Sequence, residues 1–450
     1  MDAIASVSDA TVLHFEGLQG AAERAAQRLA RAGVPEGALV ALMLPNSLDF
    51  VPTYLALRKL SATVALISPK FGAAELDAIR RELRPRCFVT TTGVAFEPDG
   101  DPPPALPPDT ALLKFTSGST GQPKGIALSA ANLDAEADNI VSGLGLGPGD
   151  RILAPVPLTH SYGFDLGVLA MLRARCTLAL EDVFVPRRIL AELASGRTSV
   201  FLGVPAMYRA WLGMPPGSDP ALPVRYLLSC TAPLPASVVT AFHARYRAAI
   251  CQHYGSSETG AVTTHVPQDV LARPDSVGSA MGDVALRVVD REGRAVPDGA
   301  DGEVVVTSGA VAHGGYVMGA PTDRRDPFRP AGYHTGDLGS VKDGFLYVRG
   351  RVDDLINVGG FKVAPREVIE ALESHPAVTE AAVIGVKDPR GEEVVYAVVA
   401  LSRSATEAEL AAHCRTRLAE YKVPRRIDIR PSLPRGATGK VQLRAEDVHL

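Results

Sequence analysis

Several large classes of protein are excluded by what this chain has little of. It carries five cysteines, Cys87, Cys176, Cys230, Cys251 and Cys414, odd in number and with no C-x-x-C spacing. Scattered thiols of this kind fit small apolar packing groups, whereas a disulfide framework or a thiolate metal cluster needs paired or closely spaced ones. Its ten histidines form no H-E-x-x-H set, so no protein-ligated zinc site is expected. No run of 18 apolar residues is present, which argues against insertion in a membrane. Basic residues are not in excess: 46 Lys and Arg face 50 Asp and Glu, for a formal net charge of −4. No global field therefore invites nucleic acid or an anionic membrane surface. The N-terminal MDAIASVSDATVLHF has no charged-then-apolar leader, reads as mature protein and leads to the expectation of a cytoplasmic location. There is no internal repeat.

What is present is ordinary for a soluble enzyme, 46% apolar and 21% charged over 450 residues. At roughly 150 residues per domain the length suggests two to four domains. Leu18, Ala21, Ala22, Ala25, Ala26 and Leu29 recur at helical spacing, and Gly33 stops that helix. The apolar run ALVALMLP (38–45) reads as a buried strand, DFVPTYLALRKL as a helix, and ATVALIS as another strand. This βαβ rhythm, repeated around TSVFLGV and YLLSC, argues for a mixed α/β architecture. The proline-rich stretch FEPDGDPPPALPPDT (96–110) reads as a surface connector. From Glu303 the texture turns to short strands, GEVVVTSG and GFLYVRG. Beyond Arg351 it changes again: PREVIEALESH is a helix with Pro365 in its first turn, and AAVIGV and VVYAVVAL are strands. TEAELAAHCRTRLAEY is a helix with Thr406 as N-cap and Leu410, Cys414 and Leu418 on one face. The last hundred residues thus form a small α+β module. The whole is expected to be a large multi-sheet α/β N-terminal domain, residues 1–349, a hinge at 350–354, and a small mobile C-terminal domain, residues 355–450.

The stretch KFTSGSTGQPKG (114–125) concentrates glycine, hydroxyls and lysine. It is no Walker A loop, because Lys124 precedes its glycine. Glycines can still turn successive N–H groups toward one anion while hydroxyls and ammonium groups add donors. Composition alone leaves a Gly/Ser turn equally open. The order of residues breaks the tie. Thr116–Gly125, TSGSTGQPKG, resembles the phosphate loop of the acyl-adenylate-forming (AMP-binding) superfamily, closest in motif style to acyl-CoA and aryl-CoA ligases. Further matches follow in that family's order: YGSSET (254–259), YHTGDL (333–338), GRVDDLINVGG (350–360) and PRGATGK (434–440). From about Gly33 onward the resemblance covers nearly the whole chain, with a segment before Thr116 shorter than is usual.

The resemblance implies residue roles, each with a plainer alternative. Thr116, Ser117, Gly118, Ser119, Thr120, Gly121 and Lys124 would cradle phosphates of ATP. Tyr254 would stack on adenine beside Gly255, Ser256, Thr231 and Ala232; otherwise it is a core tyrosine. Ser257, where Thr is usual, keeps a hydroxyl for the α-phosphate. Glu258 would hold Mg²⁺, which is content with one protein carboxylate plus water and phosphate oxygens; otherwise it is a surface Glu capping a helix. Asp337 and Arg351 would hold the ribose hydroxyls, since a carboxylate accepts two bonds from a vicinal diol; an Asx-turn and a surface ion pair are the alternatives. Lys440 would bridge substrate carboxylate and phosphate as a point charge. Asp353 would be the hinge, and Gly359 and Gly360 would line a pantetheine tunnel once the small domain rotates. SCTAP (229–233) departs from the family, with Cys230 and Thr231 where smaller residues are usual.

His160, in PLTHSYG, would gate the acyl pocket or be a packed core histidine. Phe164, Leu202, Gly203, Met207 and Thr231 would complete an apolar wall with no Lys or Arg. Phe164-Asp165 imitates the Phe-Asp pair of amino-acid-activating domains, whose Asp meets the substrate ammonium. Aligned on the apolar run VLAMLRARCTLAL, that pair instead falls at His160 and Ser161, so the ammonium anchor is missing. The resemblance therefore implies an ATP- and Mg²⁺-dependent ligase that makes an acyl-AMP from a small aryl or short acyl acid. The acyl group then passes to the thiol of CoA. Loading of a carrier-protein phosphopantetheine is the alternative, and a nucleotide-binding pseudoenzyme a further one.

Overall fold

In a computed structural model, which describes residues 2–8, 10–98, 101–117, 123–217, 219–319, 326–359, 361–388, 392–434 and 443, apolar periodicity becomes packing. Leu18, Ala22, Ala25 and Leu29 form the buried face of helix Phe15–Arg31. Gly33, at φ +94°, then turns the chain into strand Leu39–Leu42.

The chain divides into two compact units, Met1–Leu286 with Val306–Tyr333, and Arg287–Val305 with His334–Leu450. The first contains two sheets. In one, six strands lie parallel, in the order Asp2–Ser6, Thr177–Leu180, Arg151–Ala154, Val200–Gly203, Tyr226–Ser229 and Ile250–Ser256. Their near-continuous apolar sequences are those of strands covered on both faces. Gly260–Thr264 then pairs antiparallel with Ile250–Ser256 through a bulge at Tyr254 and Gly255. The second sheet has the order Tyr316–Met318, Pro123–Ser129, Thr110–Ser117, Thr63–Leu66, Leu39–Leu42, Cys87–Thr90 and Gly93–Phe96. Between Phe96 and Thr110 the described residues form no regular element, in keeping with the connector.

The second unit holds most of strands Ala285–Val289, Gly302–Thr307 and Gly332–Lys342 and all of Phe345–Arg351, neighbours in that order. It also holds a three-stranded sheet of Val378–Lys387, Glu393–Leu401 and Arg426–Arg430. Helix Pro365–Glu373, with proline in its first turn, buries Val368, Ala371 and Leu372. Helix Glu407–Arg415 starts in a reciprocal cap between Thr406 and Glu409 and buries Leu410 and Cys414. The periodicity carries this helix to Leu418, but it closes at Arg415. A final bond from Leu418 N to Cys414 O (2.8 Å) still turns Leu418 onto the core. The five cysteines are free thiols. Among the described residues no helix is long and apolar enough to cross a membrane, and no group of three or more His, Cys, Asp or Glu could hold a metal.

Candidate functional site

Four adjacent parallel strands of the first unit end on the same side, and the segment after each carries an expected site residue. Arg151–Ala154 leads to His160, Val200–Gly203 to Met207, Tyr226–Ser229 to Thr231 and Ala232, and Ile250–Ser256 to Ser257 and Glu258. The carboxyl ends of parallel strands are where open α/β sheets bind ligands.

The spacing P-x-x-H-x-x-G has a steric cause. His160 N donates to Pro157 O (3.1 Å), closing a tight turn. A Cβ on Gly163 would stand 2.3 Å from that same carbonyl oxygen, so only glycine fits. The His160 ring caps the helical turn Ser161–Gly163, its Nδ1 accepting from Tyr162 N (3.3 Å). A π-helical turn, Phe164–Leu169, follows; such widened turns recur at functional sites. Phe164 is completely buried edge-on to Tyr54 (5.1 Å), and Leu202 is completely buried too. A Cβ on Gly203 would stand 2.6 Å from Tyr208 Oη, which lets that ring close over the strand end. Tyr162 stacks on His253 (6.0 Å), whose imidazole burial pushes down to about 4, so it is neutral at pH 7.

The Y-G-S-S-E-T segment is a hairpin end, not a helix cap. A Cβ on Gly255 would stand 2.3 Å from Gly260 O, which dictates glycine after Tyr254. Ser256 and Thr259 lock the turn: Ser256 N donates to Thr259 Oγ1 (3.1 Å) and Thr259 N to Ser256 Oγ (3.2 Å). Ser257 Oγ lies 2.5 Å from Ser161 Oγ, so the hydroxyl expected at the α-phosphate is here paired with the loop after His160. Glu258 is 8% exposed rather than a surface cap, and its Oε1 accepts from Tyr316 Oη (2.9 Å). Tyr316 Oη is 3.3 Å from Tyr333 Oη, and Lys124 Nζ stands 5.8 Å from the Tyr316 ring centre. Lys124 is directly across the hairpin from Thr116. A carboxylate, two phenols, an ammonium and a threonine are thus gathered in one place.

Tyr316 is absent from the motif reading. Its signal was faint, an aromatic after the glycine pair Gly314-Gly315. Asp165 meets no free space: Lys114 Nζ lies 2.7 Å from both its oxygens. Thr231 has φ +75°, a left-handed conformation that a β-branched residue rarely adopts. Gly118, Ser119, Thr120 and Gly121, and the side chain of Ser117, lie outside the described residues.

In the second unit, Asp337 and Arg351 are register partners on adjacent strands, and Arg351 Nη1 donates to Asp337 Oδ1 (3.1 Å) and Thr335 O (3.0 Å). Thr335 Oγ1 accepts from Asp337 N (3.0 Å) and donates to Val304 O (2.8 Å), fixing the carboxylate's strand. Asp353 follows in a turn. Ile356–Val358 and Phe361–Val363 pair antiparallel, and Gly359, which follows the first of them, has φ +56° and open space where a Cβ would be. Gly360 and Lys440 lie outside the described residues.

Residues 1–316 match the family described as AMP-binding enzyme, and residues 367–440 the AMP-binding enzyme C-terminal domain. The sulfoacetate–CoA ligase of Cupriavidus necator is 39% identical over 345 residues, 76% of this chain and 67% of that protein. The feruloyl-CoA synthase of an Amycolatopsis species is 32% identical over 457 residues, 96% of this chain and 92% of that one. ATP-bound MatB from Rhodopseudomonas palustris has a similar structure, with a TM-score of 0.86 at 28% identity over 98% of this chain and 93% of that one.

Proposed function

This chain belongs to the AMP-binding enzymes and is an AMP-forming acid–thiol ligase, and on that premise we propose that it activates a small aryl or short-chain carboxylic acid as its acyl-adenylate and passes it to the thiol of CoA. The observation that carries the reading is the grouping of Lys124, Tyr316 and Glu258 beside the carboxyl ends of the parallel strands. Adenylation brings a carboxylate against a phosphate, two anions that need fixed cations and donors between them. Glu258 suits Mg²⁺: Tyr316 restrains one oxygen and the turn around Thr259 holds the backbone. The ion would supply neutralisation of phosphate charge.

In this reading Thr116, Ser117, the loop 118–121 and Lys124 hold phosphates. Tyr254, Thr231 and Ala232 border the adenine, and Asp337 accepts from the ribose hydroxyls with Arg351 holding it in place. Lys440 brings the cation to the carboxylate–phosphate junction. Asp353, within a hinge at 350–354, allows the exchange of Lys440 for Gly359 and Gly360 before thiol attack. The acid is uncharged beyond its carboxylate. His160, Phe164, Leu202, Gly203, Met207 and Thr231 bring no Lys or Arg, and Asp165 is engaged by Lys114, leaving no anchor for an ammonium. CoA as acceptor agrees with the names of the relatives, and a cytoplasmic location is part of the proposal. The test is acid-dependent pyrophosphate release over aryl, short-chain and α-amino acids, with free CoA as sole acceptor. Aryl or short-chain acids should lead, with AMP and a thioester formed. Strongest release with α-amino acids, or no thioester without a carrier protein, would overturn it.

A further inference from the structure

Three segments of the site meet at buried charges that belong to none of its motifs. Lys114, 1% exposed, lies on strand Thr110–Ser117 two residues before Thr116. Its ammonium sits 2.7 Å from both oxygens of Asp165, which is in the π-helical turn four residues after Ser161. Glu136, 1% exposed on helix Ala130–Leu144, accepts from Ala261 N through Oε1 (2.8 Å), three residues after Glu258. Its Oε2 packs on Gly260, where a Cβ would stand 2.0 Å away; Gly260 has φ +70°. Helix Ala130–Leu144 packs on both the π-helical turn and strand Thr110–Ser117, and Glu136 feels the charges of both Asp165 and Lys114. Two carboxylates beside one ammonium in a dry interior leave an excess negative charge, and a proton removes it. Burial raises both carboxyls, but Asp165 is held at 2.7 Å by Lys114 while Glu136, pushed up to about 8, has only the Ala261 N–H, so the proton belongs on Glu136. Lys114, Asp165 and protonated Glu136 form a neutral trio.

Folding alone does not call for such a trio, since apolar side chains of similar volume commonly replace a buried ion pair without loss of stability. Its position is specific, however: Lys114 stands in the strand entering the nucleotide loop, Asp165 in the turn after His160, and Glu136, from helix Ala130–Leu144, bonds to the hairpin after Glu258. We propose that Lys114, Asp165 and Glu136 are positioning residues for adenylation, a buried brace that holds these three segments at the spacing the reacting groups need. The proposal rests on the acyl-adenylate reading above. Displacements of an ångström in such scaffolds lower rates steeply while leaving ground-state binding nearly intact.

The decisive variant is the full-length double substitution Lys114→Met with Asp165→Leu, which leaves no unpaired charge. Its thermal midpoint should stay close to wild type. Its kcat for acid-dependent pyrophosphate release should fall about tenfold or more, with KM for ATP within about threefold. Thioester formation from supplied acyl-adenylate should be unchanged. Glu136→Gln, neutral and still able to accept from Ala261 N, should keep most of kcat, while Glu136→Ala should lose it. If the double variant does not fold, the Glu136 pair decides: Gln active and Ala slow supports the brace. Wild-type kcat in a folded double variant, equal loss of both half-reactions, or Gln and Ala alike in kcat overturns it and leaves the adenylation reading standing. A wild-type protein with no acid-dependent pyrophosphate release overturns both.

Discussion

A carboxylate that holds a metal works best when one oxygen is restrained and the other is left to the ion. At Glu258 the restraint is the Tyr316 hydroxyl at 2.9 Å. The Tyr316 ring packs on Phe328 (5.5 Å), so Tyr316→Phe should keep the fold and remove the hydroxyl's bonds to Glu258 and Tyr333. A hydrogen bond to a charged group contributes roughly 1.5–3 kcal/mol, so the Mg²⁺ needed for half-maximal pyrophosphate release should rise roughly ten- to hundredfold. A magnesium titration of the variant measures this, and an unchanged titration would separate Tyr316 from the ion. Glu136 yields a prediction of a different kind. Burial raises its pKa to about 8 from an ordinary 4.5, with Asp165 and Asp283 adding to the rise and Lys114 and the Ala261 N–H opposing it. Between these values the unfolded chain releases the proton and the folded chain keeps it. This group's stabilising effect is therefore full below about 4.5 and is lost as pH rises toward about 8. Thermal midpoints of Glu136→Gln should show a shallower decline over that window than wild type; parallel curves would mean that Glu136 ionises normally.

Among the elements, those whose shape follows from local steric and periodic rules were legible in the sequence. The helix Phe15–Arg31 could be read from its apolar stripe, and the helix Glu407–Arg415 from Thr406 and the face of Leu410 and Cys414. The glycines of PLTHSYG and YGSSET could be read as motif positions, and the structure adds the reason, since a side chain has no room there. What could not be read were partnerships between distant elements. Lys114 in ALLKF and Glu136 in a polar-looking helix each resemble surface residues, and only the packing of strand, helix and π-turn brings them together. Tyr316 was missed for the same reason, since its value lies in reaching Glu258. The loop after strand Tyr226–Ser229 shows an intermediate case. The Cys-Thr departure was visible, but its cost was not. Thr231 at φ +75° bears strain of about 1–3 kcal/mol, against about 0.4–1 kcal/mol of extra unfolded-state entropy for glycine. Thr231→Gly should therefore raise stability by roughly 1 kcal/mol in urea unfolding. It should also widen the range of acids accepted, since it removes bulk beside the wall. A destabilised variant would show that the threonine side chain contributes more than its backbone strain removes.

Over the whole molecule, the expected chemistry is divided between two compact units. The first carries Lys124, Tyr316 and Glu258; the second carries Asp337, Arg351, Gly359 and the C-terminal segment with Lys440. A division of this kind suits a reaction in two steps, because acid activation and thiol attack need different groups at the same carbonyl. The first step needs a cation between carboxylate and phosphate, and Lys440 is our candidate for it. The second needs a narrow passage for a thiol arm, for which Gly359, with open space where a Cβ would be, and Gly360 are our candidates. The two demands can be separated experimentally. Lys440→Ala should slow adenylation by about 10²–10³, in the range seen when one preorganised electrostatic group is removed. Supplied with purified acyl-adenylate, the same variant should form thioester at close to the wild-type rate. Gly360→Trp should do the reverse, adenylating normally while thioester formation slows. Single-turnover measurements of both steps on both variants, with folding checked by circular dichroism, decide the matter. Equal loss of the two steps in the lysine variant would mean that one arrangement of the chain serves both, and that the hinge assigned to Asp353 has no part in the cycle.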